Sequence, residues 1–229
     1  MPQETVHSST ALKLAAAILQ ELPQDIPQDV ALWWIDNKTA LSRVLRKALV
    51  PQVETVVPTE ELRTSFLKPL CTIDVSAQEA FRAADFFKDK GQPDGIKFWL
   101  GDNFKNHFLK GLGKIKLYVL VATLNVYTLR EVSVNGPILT ALGGDNLAKT
   151  SLAYVAQLIK AQPQGQEGVL LTNGWANIFY IEDDNGELWA VGCYGYSGGG
   201  GWRVNAYPVA DPSWWSADYQ VFSPAVLIP

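Results

Sequence analysis

The sequence predicts an α+β fold, a helical N-terminal region packed with a C-terminal antiparallel, aromatic-rich β-sheet. Three observations carry that expectation. Apolar residues recur at helical spacing in several segments between Ser8 and Ile159. From Gly168 to Pro229 the pattern changes, because five of the eight Trp and five of the eight Tyr fall there, alternating along short runs broken by Asn-Gly and Gly clusters. The charge changes as well. Six acids against Arg203 alone give this stretch about −5, while the whole chain is −4, so the residues before it sum to about +1. The division expected is residues 1–161, mainly helical with a few strands, and residues 168–229, a β unit packed with the first region as one body.

Taken in order, Ser8 or Ser9 can cap a helix that runs to Leu22 and stops at Pro23. Leu14, Ile18 and Leu22 form one stripe on it. A short helix carries Leu32 to Ile35, and Thr39 caps another in which Leu41, Val44, Leu45, Ala48 and Leu49 share a face. Arg43, Arg46 and Lys47 make the opposite face basic, a solvated surface or a dock for an acidic partner. Ser76 with Glu79 has the form of a capping box, which predicts a helix from Ala77 to Lys88. Ile96 to Leu100 reads as a strand, Asp102 as the cap of a short helix through His107 and Leu109, and Lys114 to Leu129 as extended. Pro137 to Leu142 is a helix stopped at Gly143, and Thr150 or Ser151 caps a last one ended by Pro163.

Beyond the polar boundary at Gln162–Gln166, the runs Ala176–Glu182 and Glu187–Tyr196 flank Asp183-Asp184-Asn185-Gly186. Asn-Gly there predicts a hairpin with positive φ at both central positions. Trp202–Val209 supplies a third strand with Trp202, Val204 and Ala206 on one face, and Tyr219–Phe222 a fourth.

Composition bounds the function. An apolar content of 48% with 18% charged residues is that of a globular chain, and a pI near 5.2 gives no general affinity for nucleic acid. The first residues lack a secretory signal and no apolar run approaches a membrane span, so a soluble, cytoplasmic protein is expected. Cys71 and Cys193 are read as reduced thiols, and two Cys and two His without close spacing exclude a zinc motif. The glycine runs at Gly143-Gly144 and Gly198–Gly201 lack the Lys-Ser/Thr of a phosphate loop, so no cofactor is expected.

The site expected is a partner-binding surface made by Trp202, Trp214, Trp215 and Tyr219, with Asn177 as an inward polar contact. Trp214 and Trp215 are adjacent in a loop, so at most one of them should belong to the core. These residues point to a non-catalytic binding or interaction protein whose partner is a protein or a glycan. The alternative is a glycosidase-like hydrolase with a carboxylate pair drawn from Asp211, Asp218 and Glu187. Asp183 and Asp184 are read as solvated turn residues, and His107 as a packed residue rather than a base.

Overall fold

The structure is a computed structural model that describes residues 66–78, 80–89, 95–110, 115–116, 119–196 and 200–225, with scattered positions between Lys13 and Lys38. The chain divides into two compact units, Met1–Glu54 and Thr55–Pro229. In the first, the described positions Lys13, Ala16, Gln20, Gln28, Leu32, Ile35, Asp36 and Lys38 are helical. The basic face at Arg43, Arg46 and Lys47 and the glycines Gly198 and Gly199 lie outside the described residues.

The second unit is built on a seven-stranded sheet. Its strands are β1 (Leu67–Val75), β3 (Phe98–Leu100), β5 (Ala122–Leu129), β6 (Asn173–Glu182), β7 (Leu188–Tyr196), β8 (Gly201–Pro208) and β9 (Gln220–Pro224). They lie in the order β1-β5-β9-β6-β7-β8-β3. A separate two-stranded ribbon joins β2 (Phe81–Arg82) to β4 (Ile115–Lys116). This overturns the expected helical region with an antiparallel C-terminal sheet: strands dominate, and the sheet is mixed. β9 runs parallel to β6 and β3 parallel to β8, the other pairings being antiparallel.

The physical reason lies in β6. Ala176 to Ile181 are all buried, as a central strand covered on both faces requires. Such a strand needs two neighbours, and after β7 takes one edge, β9 returns along the other instead of extending the meander past β8. Alternate residues then feed two cores. Phe179, Val191, Cys193, Trp202, Val204 and Phe222 meet Leu152, Val155 and Ile159 of the helix Leu152–Ala161 on one side. Ile178, Tyr180, Ala190 and Val221 meet Ile138, Leu139 and Leu142 of the helix Asn135–Leu142 on the other. Helices therefore cover both faces. They are α1 (Ala83–Phe86), α2 (Asp102–Phe104, continued by a π-helical turn Lys105–Leu109), α3 (Asn135–Leu142), α4 (Asp145–Ala148) and α5 (Leu152–Ala161).

Several local expectations hold. Ser151 caps α5 by accepting from the Ala153 N–H, and α3 ends at Gly143. The helix expected over Ala77–Lys88 does not form as such: Gln78 bridges to Val119, Phe81 enters β2, and only Ala83–Phe86 is helical. Packing Phe81, Phe86 and Phe87 into one core outweighs the local capping signal. In the β6–β7 turn only Gly186 takes positive φ (80°), and Asn185 does not. The Gly186 N–H donates to the Asp183 carbonyl at 3.1 Å, and the Asp183 side chain supplies the remaining acceptors.

Candidate functional site

Beside α3 the sheet carries a hollow of about 160 Å³, walled by Tyr194, Tyr207, Asp211, Trp214, Trp215 and Tyr219. Its back wall follows from strand parity. Cys193 of β7 and Ala206 of β8 enter the first core, so the next residues, Tyr194 and Tyr207, emerge on the opposite face. The other walls come from the loop that links β8 to β9, residues 209–219.

That loop is pinned from inside. Trp215 and Ser133 exchange backbone hydrogen bonds of 2.7 and 2.9 Å. The Trp215 indole N–H donates to Asn135 Oδ1 at 2.8 Å, and the Tyr180 hydroxyl donates to the same oxygen at 3.1 Å. Asn135, 1% exposed, completes the anchor by donating from Nδ2 to the Val209 carbonyl at 3.3 Å. A Cβ at Gly192 would meet Trp215 Cη2 at 3.3 Å, so a glycine in β7 lets the indole lie against the strand. Trp215 then stands edge-on to Tyr207 (5.3 Å between centroids, 89° between planes) and steeply to Tyr219 (6.4 Å, 64°). Tyr219 in turn meets Trp175 at 6.1 Å.

The polar groups at the back wall satisfy one another. The Tyr194 and Tyr207 hydroxyls are 3.3 Å apart. With its amide oxygen turned inward, Asn205 accepts from the Tyr207 hydroxyl at 3.0 Å and from Arg203 Nε at 3.3 Å. Burial, then the bond with Tyr207, pushes the Tyr194 phenol up, so it remains neutral at any ordinary pH. Asp211 differs. Hydrogen bonds from the Ser213 hydroxyl and from the Ser213 backbone N–H (2.7 Å) hold its carboxyl below the usual range, so it is ionised.

Of the residues expected to form the site, the structure brings together Trp214, Trp215 and Tyr219. Trp214 is 75% exposed at the rim and Trp215 only 5%, the division that adjacent residues on an extended chain impose. Trp202 does not join them. It is fully buried in the first core, on the other side of the sheet, with its indole N–H donating to the Gln162 carbonyl at 3.1 Å. Asn177 is also fully buried and is occupied by the backbone, accepting from the Leu171 N–H (2.8 Å) and donating to the Leu171 and Cys193 carbonyls (3.0 Å each).

The three candidate carboxylates do not converge in the hollow, since only Asp211 lines it. Asp218 occupies a turn at φ 67°, a left-handed position that Asp tolerates. Glu187 is exposed in the β6–β7 turn.

Sequence reasoning missed Tyr194, Tyr207 and Asn135. The first two were legible in principle, because they alternate with the core positions Cys193 and Ala206. It also misread Asp183, which is 2% exposed. Its Oδ2 lies 3.0 Å from His107 Nδ1, and the His107 ring packs on Trp189 at 3.9 Å between centroids. Burial alone would raise this carboxyl, but bonds from the Glu187 N–H, His107 and Asn185 outweigh it and hold the carboxyl below its usual range. Trp189 belongs to the first core, so this pair sits across the sheet from the hollow. Burial drives the Cys193 thiol far up, which leaves it inert. Among the described residues no group of three or more His, Cys, Asp or Glu could hold a metal ion, and no helix is long and apolar enough to cross a membrane. No protein-family model, curated protein or solved structure matches the chain.

Proposed function

We propose that this chain is a non-catalytic binding protein that admits one compact group of a protein or glycan partner to the hollow at Trp214. The observation that carries the reading is the exposure of Trp214, at 75%, beside a neighbour fixed at 5%. An indole held at the rim of an aromatic hollow gains by being covered, and Trp is enriched at the energetic centres of interfaces for that reason. The volume of about 160 Å³ lies below the roughly 300 Å³ at which drug-sized pockets begin, so a single ring or headgroup fits rather than an extended ligand.

A binding role is favoured over hydrolysis by the carboxylates. A glycosidase acid needs a raised pKa and a second carboxylate across the scissile bond. Asp211 is shifted in the opposite direction and has no acidic partner in the lining.

The test is a titration panel of saccharides and peptides, read by tryptophan fluorescence and by the indole N–H resonances of wild type and Trp214→Ala. A ligand should perturb the wild-type signal saturably, and its affinity should fall by about tenfold or more in the variant. A panel in which every binder retains its affinity for Trp214→Ala would reject the reading.

A further inference from the structure

We infer that the group admitted to the hollow is a methylated, quaternary-type ammonium cation, an inference that rests on the binding reading above. Three features of the site lead there: which polar groups are already paired, how the rings stand, and where the charge lies.

A sugar needs several unpaired donors and acceptors around one flat ring. At the back wall the candidates are already engaged. The Tyr194 and Tyr207 hydroxyls pair with each other, Tyr207 also bonds to Asn205, and both lone pairs of Asn135 Oδ1 are taken by Trp215 and Tyr180. What the walls still offer is ring surface, one carboxylate, the Tyr219 hydroxyl and the Trp214 indole N–H, too few polar groups to surround a sugar ring. Two of the roughly four acceptor positions of Asp211 are used by Ser213, and the others remain. The rings also do not make a single platform. Trp215 meets Tyr207 at 89° and Tyr219 at 64°, so it shares a plane with neither. Aromatic walls around a small volume, with an ionised carboxylate among them, are the chemistry that attracts a cation.

The lining holds Asp211 and, among the described residues, no Lys or Arg. The nearby Arg203 is exposed and its Nε is directed to Asn205. The 209–219 loop itself carries two acids, Asp211 and Asp218, and no Lys or Arg, so the local charge favours a positive ligand. A bare ammonium brings three N–H donors and would leave some of them unpaired against ring faces. A methylated ammonium has no such requirement and keeps its charge while presenting methyl groups to the rings. It could be a free choline-like molecule or a methylated lysine on a partner chain.

The test uses the full chain. Choline chloride is titrated against its uncharged isostere, in which carbon replaces the quaternary nitrogen, with sodium chloride matching the ionic strength and the indole N–H resonances as readout. Choline should bind saturably and the isostere about tenfold or more weakly. Asp211→Asn keeps an acceptor for the Ser213 N–H and removes the charge, so it should weaken choline several-fold and leave the isostere unchanged. A trimethyllysine peptide that binds at least tenfold better than choline identifies a partner chain as the source, and equal binding identifies a free small cation. Isostere and choline binding equally, or a saccharide binding where choline does not, overturns the cation while leaving the binding reading standing. Silence of all the probes at Trp214 overturns both.

Discussion

Two loops of the same sheet each carry an aspartate near their start, and the two aspartates have opposite fates. Asp183 opens the turn between β6 and β7, and Asp211 is the third residue of the loop between β8 and β9. Both accept a hydrogen bond from the backbone N–H two residues on, Asn185 at 2.8 Å and Ser213 at 2.7 Å, the local bond that Asp favours in turns. Around Asp183 the pairing continues until the group is sealed, because Glu187, the Asn185 amide and His107 from α2 close over it. Around Asp211 it stops at Ser213, and the rest of the loop exposes an indole. The same side chain therefore acts as a lock where a second element packs on it and as a charged wall where none does.

The sharpest way to break this comparison is to remove the lock. Asp183→Ala would strand the N–H groups of Asn185 and Glu187 and the His107 ring in a site where the carboxylate is fully buried. Loss of a buried, charge-assisted network of this kind costs about 3 kcal/mol. Urea denaturation should show a midpoint lowered accordingly, and a change under about 1 kcal/mol would mean that the turn is held by its backbone alone. Asp183→Asn should recover part of the loss, since its oxygen can still accept from the two backbone donors.

The second effect is the pH dependence of that lock. The folded carboxyl is held below its ordinary range, so its contribution is fully present above the unfolded value of about 3.9 and is lost as pH falls through the lower folded value. The stability gap between wild type and Asp183→Asn should therefore shrink below about pH 4. A gap that widens as pH falls below about 4 would contradict the assigned direction.

What the sequence disclosed follows the range of the interactions. The β6–β7 hairpin, the cap at Ser151, the stop at Gly143 and the alternation of Trp202, Val204 and Ala206 are set by residues within a few positions of one another, and each forms. The parallel pairing of Asn177 with Gln220 and of Phe98 with Trp202 spans long stretches of chain, and no local pattern specifies it. The same holds for His107 and Asp183, which lie 76 residues apart. A buried turn acid looks like a solvated one until the partner that covers it is known. At the site, adjacency alone divided Trp214 from Trp215. Trp202 was misplaced because aromatic content carries no information about which face of the sheet a residue meets.

The smallest expected effect on stability is also the one that most sharpens the comparison. Trp214→Ala removes one of the two largest side chains of the 209–219 loop, yet three-quarters of that surface is already in water and no hydrogen bond of its indole fixes the loop. The pinning contacts belong to its neighbour: the backbone pair with Ser133 and the Trp215 indole bond to Asn135. The change in unfolding free energy should stay within about 0.5 kcal/mol, the range of surface substitutions away from packed features. Thermal unfolding followed by near-ultraviolet circular dichroism would check it. A loss near 2 kcal/mol would place Trp214 among the groups that hold the loop closed, and would make both loops locks.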